Sequence, residues 1–314
     1  MKFCLAFSLY LITHLSWAAE LRINEIQFVG SHNSYKKAML PADFAALLAR
    51  NPSAARSLEY AHQPLTAQLD LGIRKLELDI FNQPGVDDFV VGHVQEIDMQ
   101  SHCGRLTECL KEVLAWSAEN ASHVPIWISF NAKDGKIPGL QDPHPYNSDA
   151  FARLDQLLIS MFGTKLISPR EVASSSGPLW PTLAQARGKF LLVLDEGGQK
   201  RATYAQGWRD RPMFVNVAPP HPAAAVMVIN DPIRDFALIQ QRVREGYMVR
   251  TRADADTAEA RNDSTDRRDR AFASGAQAIS TDYYSAGNPF GTDYWVEPII
   301  GCNPVLVERC LLEQ

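Results

Sequence analysis

The amino-acid sequence predicts an α/β fold, and within that class an irregular (β/α)8 TIM barrel. Apolar, strand-like runs alternate along the chain with segments of helical periodicity, which is the pattern of a parallel sheet. About eight such strands can be counted, the number that closes into a barrel. Several of them end in histidine, carboxylate or amide side chains, as expected where the carboxyl ends of barrel strands form a site.

The first half of the chain begins this alternation. Strands are predicted at 26–30, 73–81, 89–93 and 125–130, from apolar or alternating runs bounded by turn residues. Helices are predicted at 41–50, 64–72 and 105–118, and Gly72 marks the end of the second one. Only residues 82–88, which have the composition of a turn, separate the second strand from the third. One helix is therefore missing between strands 2 and 3, which makes the barrel irregular.

The second half of the chain completes the pattern. A loop rich in proline, glycine and aspartate leads to a helix at 150–162, and Thr182 is a predicted helix cap. Strands follow at 190–197, 213–217, 247–251 and 278–281, with a long helix at 257–274 between the last two. The apolar run at 225–229 competes with 213–217 for the place of the sixth strand.

Length and composition favour a single exported domain. A chain of 314 residues with 46% hydrophobic content can bury a large core. Lys2, an apolar run and the small residues Ser16, Ala18 and Ala19 predict a secretory signal peptide over residues 1–19. The barrel domain then spans residues 20–314, and we expect a secreted or periplasmic monomer. The net charge of −5 argues against nucleic-acid binding, because that function needs clustered basic residues.

The cysteines fit an oxidising compartment. Cys4 lies in the predicted signal peptide, and the other four of the five cysteines form two disulfides in an exported chain. Four cysteines allow about three connectivities. We favour Cys103–Cys109 and Cys302–Cys310, because each pair closes a short local loop and neither spacing resembles a zinc site.

A pair of acids on the second predicted strand indicates a cation site. Glu77 and Asp79 are two positions apart, so both side chains point to the same face of the strand. Two neighbouring carboxylates repel each other unless a cation or a shared proton lies between them. With Asn33 as a third oxygen donor, the set suits Ca²⁺ or Mg²⁺ better than zinc. The alternative is a strand whose outer face carries two solvated acids.

Two histidines that follow strand-like runs, His32 and His93, are candidates for proton transfer. An imidazole titrates near neutral pH, so one can take a proton from a hydroxyl while the other gives one to a leaving oxygen. The alternative for each is a hydrogen-bonded structural histidine. Asp282 follows the last predicted strand and is a candidate for lining the mouth, whereas Asp254 is explained better as an acid near the positive end of the next helix.

Several short motifs together resemble a known family. They are Gly-Ser-His-Asn-Ser-Tyr at 30–35, Leu-Glu-Leu-Asp at 76–79, Val-Gly-His at 91–93, and Thr-Arg-Ala-Asp through Ala-Ser-Gly-Ala-Gln-Ala-Ile-Ser-Thr-Asp-Tyr within 251–283. The combination resembles the exported, calcium-dependent phosphatidylinositol-specific phospholipase C-like phosphodiesterases of bacteria and fungi. The resemblance covers nearly the whole chain after the signal peptide.

This resemblance implies a TIM barrel that cleaves a phosphodiester by attack of a neighbouring hydroxyl on phosphorus. It implies that His32 and His93 act as general base and general acid. Ca²⁺ held by Asn33, Glu77 and Asp79 would polarise a phosphoryl oxygen. The substrate would be phosphatidylinositol or a related phosphodiester, with transient contact to a membrane surface.

The end of the fourth predicted strand supplies further residues implied by the resemblance. Lys133 and Arg74 are expected near the phosphate or the inositol ring. Relatives often carry a glutamate ligand at the place of Asn131, and a neutral amide there is expected to bind calcium more weakly than a carboxylate.

Two other functions are compatible with the pattern. A glycerophosphodiester phosphodiesterase shares the barrel and the Glu-x-Asp strand, but that family has Arg-Gly after its first histidine, where this chain has Asn33 and Ser34. The second alternative function is that of a non-catalytic protein that binds an inositol phosphate or a sugar in the barrel mouth. Asn131 favours this binding function slightly, and the presence of both histidines argues against it.

Overall fold

The computed structural model describes residues 21–174 and 176–310, so the predicted signal peptide at 1–19 lies outside the described residues. The strands are β1 (Ile26–Ser31), β2 (Lys75–Asn82), β3 (Phe89–Val91), β4 (Ile126–Lys133), β5 (Phe190–Leu194), β6 (Met213–Val215), β7 (Val226–Val228), β8 (Met248–Arg252), β9 (Ala278–Thr281) and β10 (Ile300–Cys302). The α-helices are α1 (Pro41–Arg50), α2 (Pro52–Ser57), α3 (Leu65–Asp70), α4 (Leu106–Glu119), α5 (Ser148–Phe162), α6 (Pro169–Val172), α7 (Leu183–Ala186), α8 (Gly198–Ala205), α9 (Phe236–Arg244), α10 (Ala258–Asn262) and α11 (Asp266–Ala273).

Eight parallel strands form a nearly closed barrel, which confirms the predicted irregular TIM fold. Their order around the barrel is β6-β5-β4-β2-β1-β9-β8-β7. A parallel bridge between Asn216 and Val226 links the two outer strands, β6 and β7. The barrel follows the usual alternation of strands and helices, except between β6 and β7, where the chain forms turns.

The irregularity differs from the prediction in one respect. No helix lies between β2 and β3, as expected, but β3 runs antiparallel to β2 and forms a hairpin with it instead of a barrel strand. The eighth parallel strand is β7, from the segment 225–229. The two segments treated as competitors for the sixth strand therefore both form barrel strands, β6 and β7.

The predicted helices are present except near the C-terminus, whereas α2, α6, α8 and α9 were not predicted from the sequence. Helix α1 has the predicted bounds, and Thr182 caps α7 by accepting a hydrogen bond from the Gln185 backbone. The single long helix predicted at 257–274 is wrong, because the chain forms the two short helices α10 and α11. Asp263 between them has φ 52°, a left-handed conformation that ends the first helix.

The start of the barrel depends on a close contact that only glycine allows. Strand β1 meets β2 at Gly30, which pairs with Lys75. A Cβ atom at position 30 would lie 2.3 Å from the Cβ of Lys75, so a larger residue does not fit. The earlier part of β1 pairs instead with the antiparallel β10, a short strand that the sequence pattern does not predict.

The side chains that point into the barrel change from apolar to polar along the strands. At the amino end they form an apolar cluster that includes Phe28, Trp127, Leu191, Phe214 and Met248. Every second residue of a strand faces the same way, so the same inward rows continue toward the carboxyl ends. These rows read Trp127, Ser129 and Asn131 on β4; Met248, Arg250 and Arg252 on β8; and Ala278, Ser280 and Asp282 on and after β9.

Both predicted disulfides are present. Cys103–Cys109 joins the loop after the β2–β3 hairpin to α4, and Cys302–Cys310 holds the segment after β10. Within the described ranges, no helix has the length and apolarity needed to cross a bilayer.

Candidate active site

The acids predicted on β2 point into the barrel and are almost completely buried. Lys75, Glu77 and Asp79 occupy alternate positions, while the intervening Leu76 and Leu78 pack outward against the helices. The alternative of two solvated acids on an outer face is therefore wrong. A buried carboxylate needs a partner, and each of these acids has at least one.

Two basic side chains bind one carboxylate oxygen of Glu77. Lys75 Nζ and Arg250 Nη2 both donate to Oε2, the latter over 2.7 Å. Burial by itself would raise the pKa of Glu77, but these two cations outweigh it and hold the pKa well below its ordinary value. Burial also lowers the pKa of Lys75 to about 8. The second oxygen of Glu77, Oε1, is left facing the mouth.

Asn131 on β4 lies between the two acids. Its amide nitrogen donates to Glu77 Oε1 over 3.2 Å and to Asp79 Oδ1 over 3.0 Å. Lys133, two positions further along β4, lies 3.0 Å from Asp79 Oδ2. Burial lowers the pKa of Lys133, but the carboxylate of Asp79 outweighs it and the pKa is raised. The oxygens of Glu77 and Asp79 thus converge on one point.

This point fits a hard cation. Both converging atoms are buried carboxylate oxygens, and rotation of the Asn131 amide would turn its oxygen to the same place. Oxygen donors of this kind suit Ca²⁺. In the described residues, no group of three or more histidine, cysteine and acidic side chains could hold a metal ion, so amide oxygens would have to complete a cation site at this point.

Asn33 belongs to the same region. It lies two residues after Ser31, the last residue of β1, has φ 46° and is buried. Its amide nitrogen donates to the Tyr60 hydroxyl over 2.7 Å, which fixes the orientation of the amide and leaves the oxygen free of that contact. The left-handed backbone turns the chain sharply directly after His32.

His32 is anchored by Asp282, a residue from the opposite end of the sequence. Its Nδ1 lies 3.0 Å from Asp282 Oδ1, and its Nε2 lies 3.6 Å from Glu77 Oε1. Burial and Arg252 lower the pKa of His32, against the opposing effect of both acids. Arg252 also lies 3.4 Å from Asp282 Oδ2, so the anchor itself is held by a cation.

His93 has an anchor of the same kind in the turn after β3. Its Nδ1 lies 3.0 Å from Asp98 Oδ2, and the other oxygen of Asp98 accepts a hydrogen bond from Lys36 over 2.9 Å. The side chains of Asp98 and Lys36 are both 0% exposed, so this is a fully buried ion pair. The backbone nitrogen of Gly92 donates to the Asp79 carbonyl, which ties this turn to the acid strand.

Arg74 is the one predicted site residue that the structure does not bring to the mouth. It precedes β2, so it lies at the opposite end of that strand from Asp79. Its guanidinium donates to the Leu69 and Ile73 carbonyls and lies over the ring of Trp116. The expectation that Arg74 binds phosphate is therefore corrected to a structural role beside α3 and α4.

Asp254 is also placed differently from the expectation. It is fully buried and does not lie at a helix start, since α10 begins at Ala258. It accepts hydrogen bonds from the Asp282 backbone and the Thr281 and Tyr294 hydroxyls. Burial and the charge of Asp282 raise the pKa of Asp254 to about 7. It holds the end of β9 in position.

Several residues of the mouth are not predictable as site residues from their local sequence. The sequence predicts Arg250 only as part of a strand, although a basic residue in an otherwise apolar run indicates a buried ion pair. Lys75 carries the same signal on β2. Asp98 gave no signal beyond its closeness to His93. Tyr60 and His62 belong to a stretch without strong periodicity, and they line a cavity of about 230 Å³ beside Asp282.

Comparison with known proteins agrees with this geometry. The model of the family described as Ca²⁺-dependent phosphoinositide phospholipase C matches residues 21–90 and 82–304. No curated protein is significantly similar to the chain. The family is the one that the sequence motifs indicated, and not the glycerophosphodiester phosphodiesterases.

Several solved structures share the fold. A calcium-dependent phosphoinositol-specific phospholipase C from a Pseudomonas species has 19% identity and a TM-score of 0.58, over 89% of this chain and 96% of that chain. A Ca²⁺-dependent phosphatidylinositol-specific phospholipase C from Streptomyces antibioticus has 17% identity and a TM-score of 0.58, over 84% and 95%. The phosphatidylinositol-specific phospholipase C from Listeria monocytogenes has 13% identity and a TM-score of 0.52, over 83% and 89%.

At these low sequence identities, the similarity to solved structures shows only the fold. The family model covers most of the sequence and therefore shows the family. The two findings agree with each other and with the convergence of carboxylates and anchored histidines at one barrel mouth. The chain therefore belongs to the Ca²⁺-dependent phosphoinositide phospholipase C family, a family of phosphodiesterases.

Proposed function

We propose that this protein is an exported, Ca²⁺-dependent phosphodiesterase that cleaves phosphatidylinositol or a related phosphodiester. One observation carries the proposal: two histidines, His32 and His93, each have Nδ1 held at 3.0 Å by a buried carboxylate beside the converging oxygens of Glu77 and Asp79. A carboxylate on Nδ1 fixes the tautomer and leaves Nε2 for proton transfer.

The calcium ligands proposed are Asn33, Glu77, Asp79 and Asn131. Bound Ca²⁺ supplies positive charge that polarises a phosphoryl oxygen and lowers the pKa of a nearby hydroxyl. Glu77 would bind through Oε1, because Lys75 and Arg250 hold Oε2. The amide of Asn131 would rotate to present its oxygen in place of its nitrogen. These cations and amides keep the two carboxylates in position before the metal arrives.

The protein's own residues carry the proton transfers. One of His32 and His93 takes the proton of the substrate hydroxyl next to the phosphate, and that oxygen forms a bond to phosphorus. The bond from phosphorus to the leaving alcohol breaks, and the other histidine gives its proton to the leaving oxygen. The products are a cyclic phosphodiester and an alcohol. We propose that the ammonium of Lys133, which lies 3.0 Å from the proposed ligand Asp79, contacts a phosphate oxygen.

The proposed location is outside the cytoplasm. Two disulfides form and persist in oxidising compartments, which agrees with export of the chain by the predicted signal peptide at 1–19. The substrate there would be a lipid headgroup at a membrane surface. We propose that the protein acts as a monomer and touches the membrane only transiently.

A non-catalytic binding function is the second candidate. It is favoured by Asn131, whose amide nitrogen already bridges both acids as a neutral donor. A barrel in which this amide keeps its orientation would hold a ligand without calcium and without turnover. The presence of two anchored histidines makes the phosphodiesterase the better proposal.

The test is an activity panel with matched histidine variants. The full chain is assayed on phosphatidylinositol, glycerophosphoinositol and glycerophosphocholine, with calcium and with a chelator. His32→Ala and His93→Ala should each lower turnover of the inositol substrates by about 10²–10⁴-fold, the usual contribution of a general acid or base. His221→Ala is the control, because His221 is exposed and lies before β7 at the opposite end of the barrel.

The chelator should abolish turnover, and calcium binding measured by calorimetry should persist in His93→Ala. Unchanged turnover in either histidine variant would contradict the proposed mechanism. Calcium-dependent binding of glycerophosphoinositol with no turnover of any substrate would favour the binding function instead.

A further inference from the structure

His62 is a third histidine beside the mouth, and the proposed mechanism does not use it. Its side chain is completely buried, and its ring stacks on that of Tyr284, with 5.4 Å between the ring centroids and 21° between the ring planes. The ring of Tyr60 packs against it at a centroid distance of 5.6 Å. Burial and two aromatic neighbours restrict the ring of His62 to one orientation.

The ring of His62 is bound to the main chain of His32. Its Nε2 lies 2.6 Å from the His32 carbonyl oxygen, and because a carbonyl can only accept a hydrogen bond, the proton is on Nε2. Burial lowers the pKa of His62 to about 4, so the ring is neutral at neutral pH and Nδ1 carries no proton. Nδ1 is buried and has no hydrogen-bond partner among the described residues. The one hydrogen bond of this ring therefore goes to His32.

This hydrogen bond continues the support of His32 beyond the end of the strand. β1 ends at Ser31, and the backbone nitrogen of His32 still donates to the Thr281 carbonyl over 3.1 Å. The chain then turns at Asn33, and no backbone group of the described residues donates to the His32 carbonyl. A carbonyl removed from water needs a donor, and the ring of His62 supplies it.

The same nitrogen of His62 also faces the acid that anchors His32. Nε2 lies 3.8 Å from Asp282 Oδ1, and this oxygen lies 3.0 Å from His32 Nδ1. His62 thus binds the main chain of His32 directly beside the carboxylate that binds its imidazole. The position of the main chain and the position of the carboxylate together determine the direction of the His32 ring.

Stability alone does not explain a histidine at position 62. An apolar aromatic ring could keep the stacking on Tyr284 and would leave no nitrogen unpaired, whereas a buried unpaired nitrogen is unfavourable. What histidine adds at this position is the Nε2 donor. A local conflict of this kind is expected where a residue serves a function.

We infer that His62 is a positioning residue, which holds His32 in the orientation needed for proton transfer by binding its main chain beside Asp282. The inference rests on the proposed function, because orientation of His32 matters only in a reaction in which His32 moves a proton. His62 acts through His32 and not on the substrate. Its loss should therefore slow the chemical step and leave substrate binding unchanged.

Steady-state kinetics of full-chain His62→Phe on glycerophosphoinositol test this role. Phenylalanine keeps an aromatic ring on Tyr284 and removes the donor, so kcat should fall by about 10–100-fold, with KM and the calorimetric calcium affinity unchanged. His62→Gln offers an amide donor and should recover kcat to within about threefold of wild type. His62→Leu removes the donor with a smaller side chain and decides the question if phenylalanine does not fit.

The matched control is His123→Phe. His123 is also buried and packs against Trp116, and its ring nitrogens lie 2.6 Å from the Val124 carbonyl oxygen and 2.9 Å from Ser117 Oγ. It lies between α4 and the start of β4, at the amino end of the barrel. Because it loses two hydrogen bonds, His123→Phe should lower thermal stability at least as much as His62→Phe, but it should leave kcat unchanged.

A double-mutant cycle shows where His62 acts. If it acts through the His32–Asp282 pair, His62→Phe should lower kcat by less than about threefold once Asp282→Asn is present. In the Asp98→Asn background, where the other histidine pair is changed, the same substitution should keep most of its effect.

A spectroscopic measurement is independent of turnover. The Nδ1 protons of His32 and His93 each bind a carboxylate at a nitrogen–oxygen distance of 3.0 Å, so both should give slowly exchanging NMR signals in the full chain with isotopically labelled histidine. Each signal is assigned by its absence from the corresponding alanine variant. His62→Phe should broaden or remove the signal of His32 and leave that of His93 unchanged.

The results that would overturn the inference are distinct. They are wild-type kcat in His62→Phe, an equal loss of kcat in His123→Phe, and a kcat of His62→Gln as low as that of His62→Phe. A full additional loss in the Asp282→Asn background, or equal broadening of both histidine signals, also overturns it. Absence of turnover by wild type contradicts the proposed function, while the His32 signal in His62→Phe still decides whether His62 holds His32.

Discussion

The two histidine–carboxylate pairs of the mouth have the same geometry but different origins. His32 and Asp282 are 250 positions apart in the sequence, and β1 and β9 bring them together. His93 and Asp98 are five positions apart and lie in one turn after the β2–β3 hairpin. In both pairs, Nδ1 is 3.0 Å from a carboxylate oxygen.

The difference shows what each pair depends on. The His32 pair requires that β1 and β9, the first and last barrel strands in the sequence, pair in parallel. It also requires Arg252 and Asp254, which hold Asp282. The His93 pair requires only a local turn, but its acid is neutralised by the buried Lys36. Changes at Asp282 should therefore affect mainly catalysis, while changes at Asp98 should affect stability as well.

The largest effect on turnover is expected for Asp282→Asn. The amide removes the negative charge that stabilises a protonated His32 and leaves the packing of the mouth nearly unchanged. We expect kcat on phosphatidylinositol to fall by about 10³-fold with a small change in KM, by comparison with the loss seen when a triad carboxylate becomes an amide. Steady-state kinetics measure this, and Asp293→Asn, an exposed position near the C-terminus, is the control.

Calcium affinity of Asp282→Asn, measured by calorimetry, should equal that of wild type, because Asp282 is not a proposed ligand. A loss of calcium binding equal to the loss of turnover would show that the anchor of His32 and the metal site are not separate units.

A smaller loss of turnover, with a loss of stability, is expected for Asp98→Asn. The backbone hydrogen bonds of the turn remain, so His93 keeps part of its orientation and kcat should fall by about 10²-fold. Lys36 loses its buried partner, and the free energy of unfolding should fall by about 3 kcal/mol. Urea denaturation measures the second effect.

The stability effect has its own control. Lys36→Met combined with Asp98→Leu removes both charges and should recover most of the lost stability but not the turnover. Equal stability of Asp98→Asn and wild type would show that the Lys36–Asp98 pair does not hold the turn in place.

The smallest effect is expected for Asn131→Asp, which changes neither histidine pair. A carboxylate in place of the amide adds a charged calcium ligand and removes the donor that now bridges Glu77 and Asp79. We expect calcium to bind about tenfold more tightly, and the apo protein to be less stable because three acids then face one another. Calorimetry and thermal unfolding with and without calcium measure both effects.

Asn262→Asp at the exposed end of α10 is the matched control and should change neither quantity. If Asn131→Asp leaves calcium affinity unchanged, Asn131 is not a ligand, and the metal site consists of the remaining proposed residues.

Much of this molecule follows from local sequence. The period of two along β2 determined that Glu77 and Asp79 share a face, and the strand–helix alternation determined the barrel class. The short loops between cysteines determined both disulfides. The signals were sufficient in these cases because each depends on residues that are neighbours in the chain.

The tertiary structure decided the remainder. Alternation cannot tell a barrel strand from a hairpin strand, so β3 was counted in the barrel and β7 was not. Arg250, the partner of Glu77, and Asp282, the partner of His32, reach these residues only when eight strands from the whole chain close around one axis. Arg74 and Lys75 are adjacent in sequence, yet one lies outside the barrel and the other inside it. The sequence shows where a strand ends, but only the closed barrel determines which side chains meet at that end.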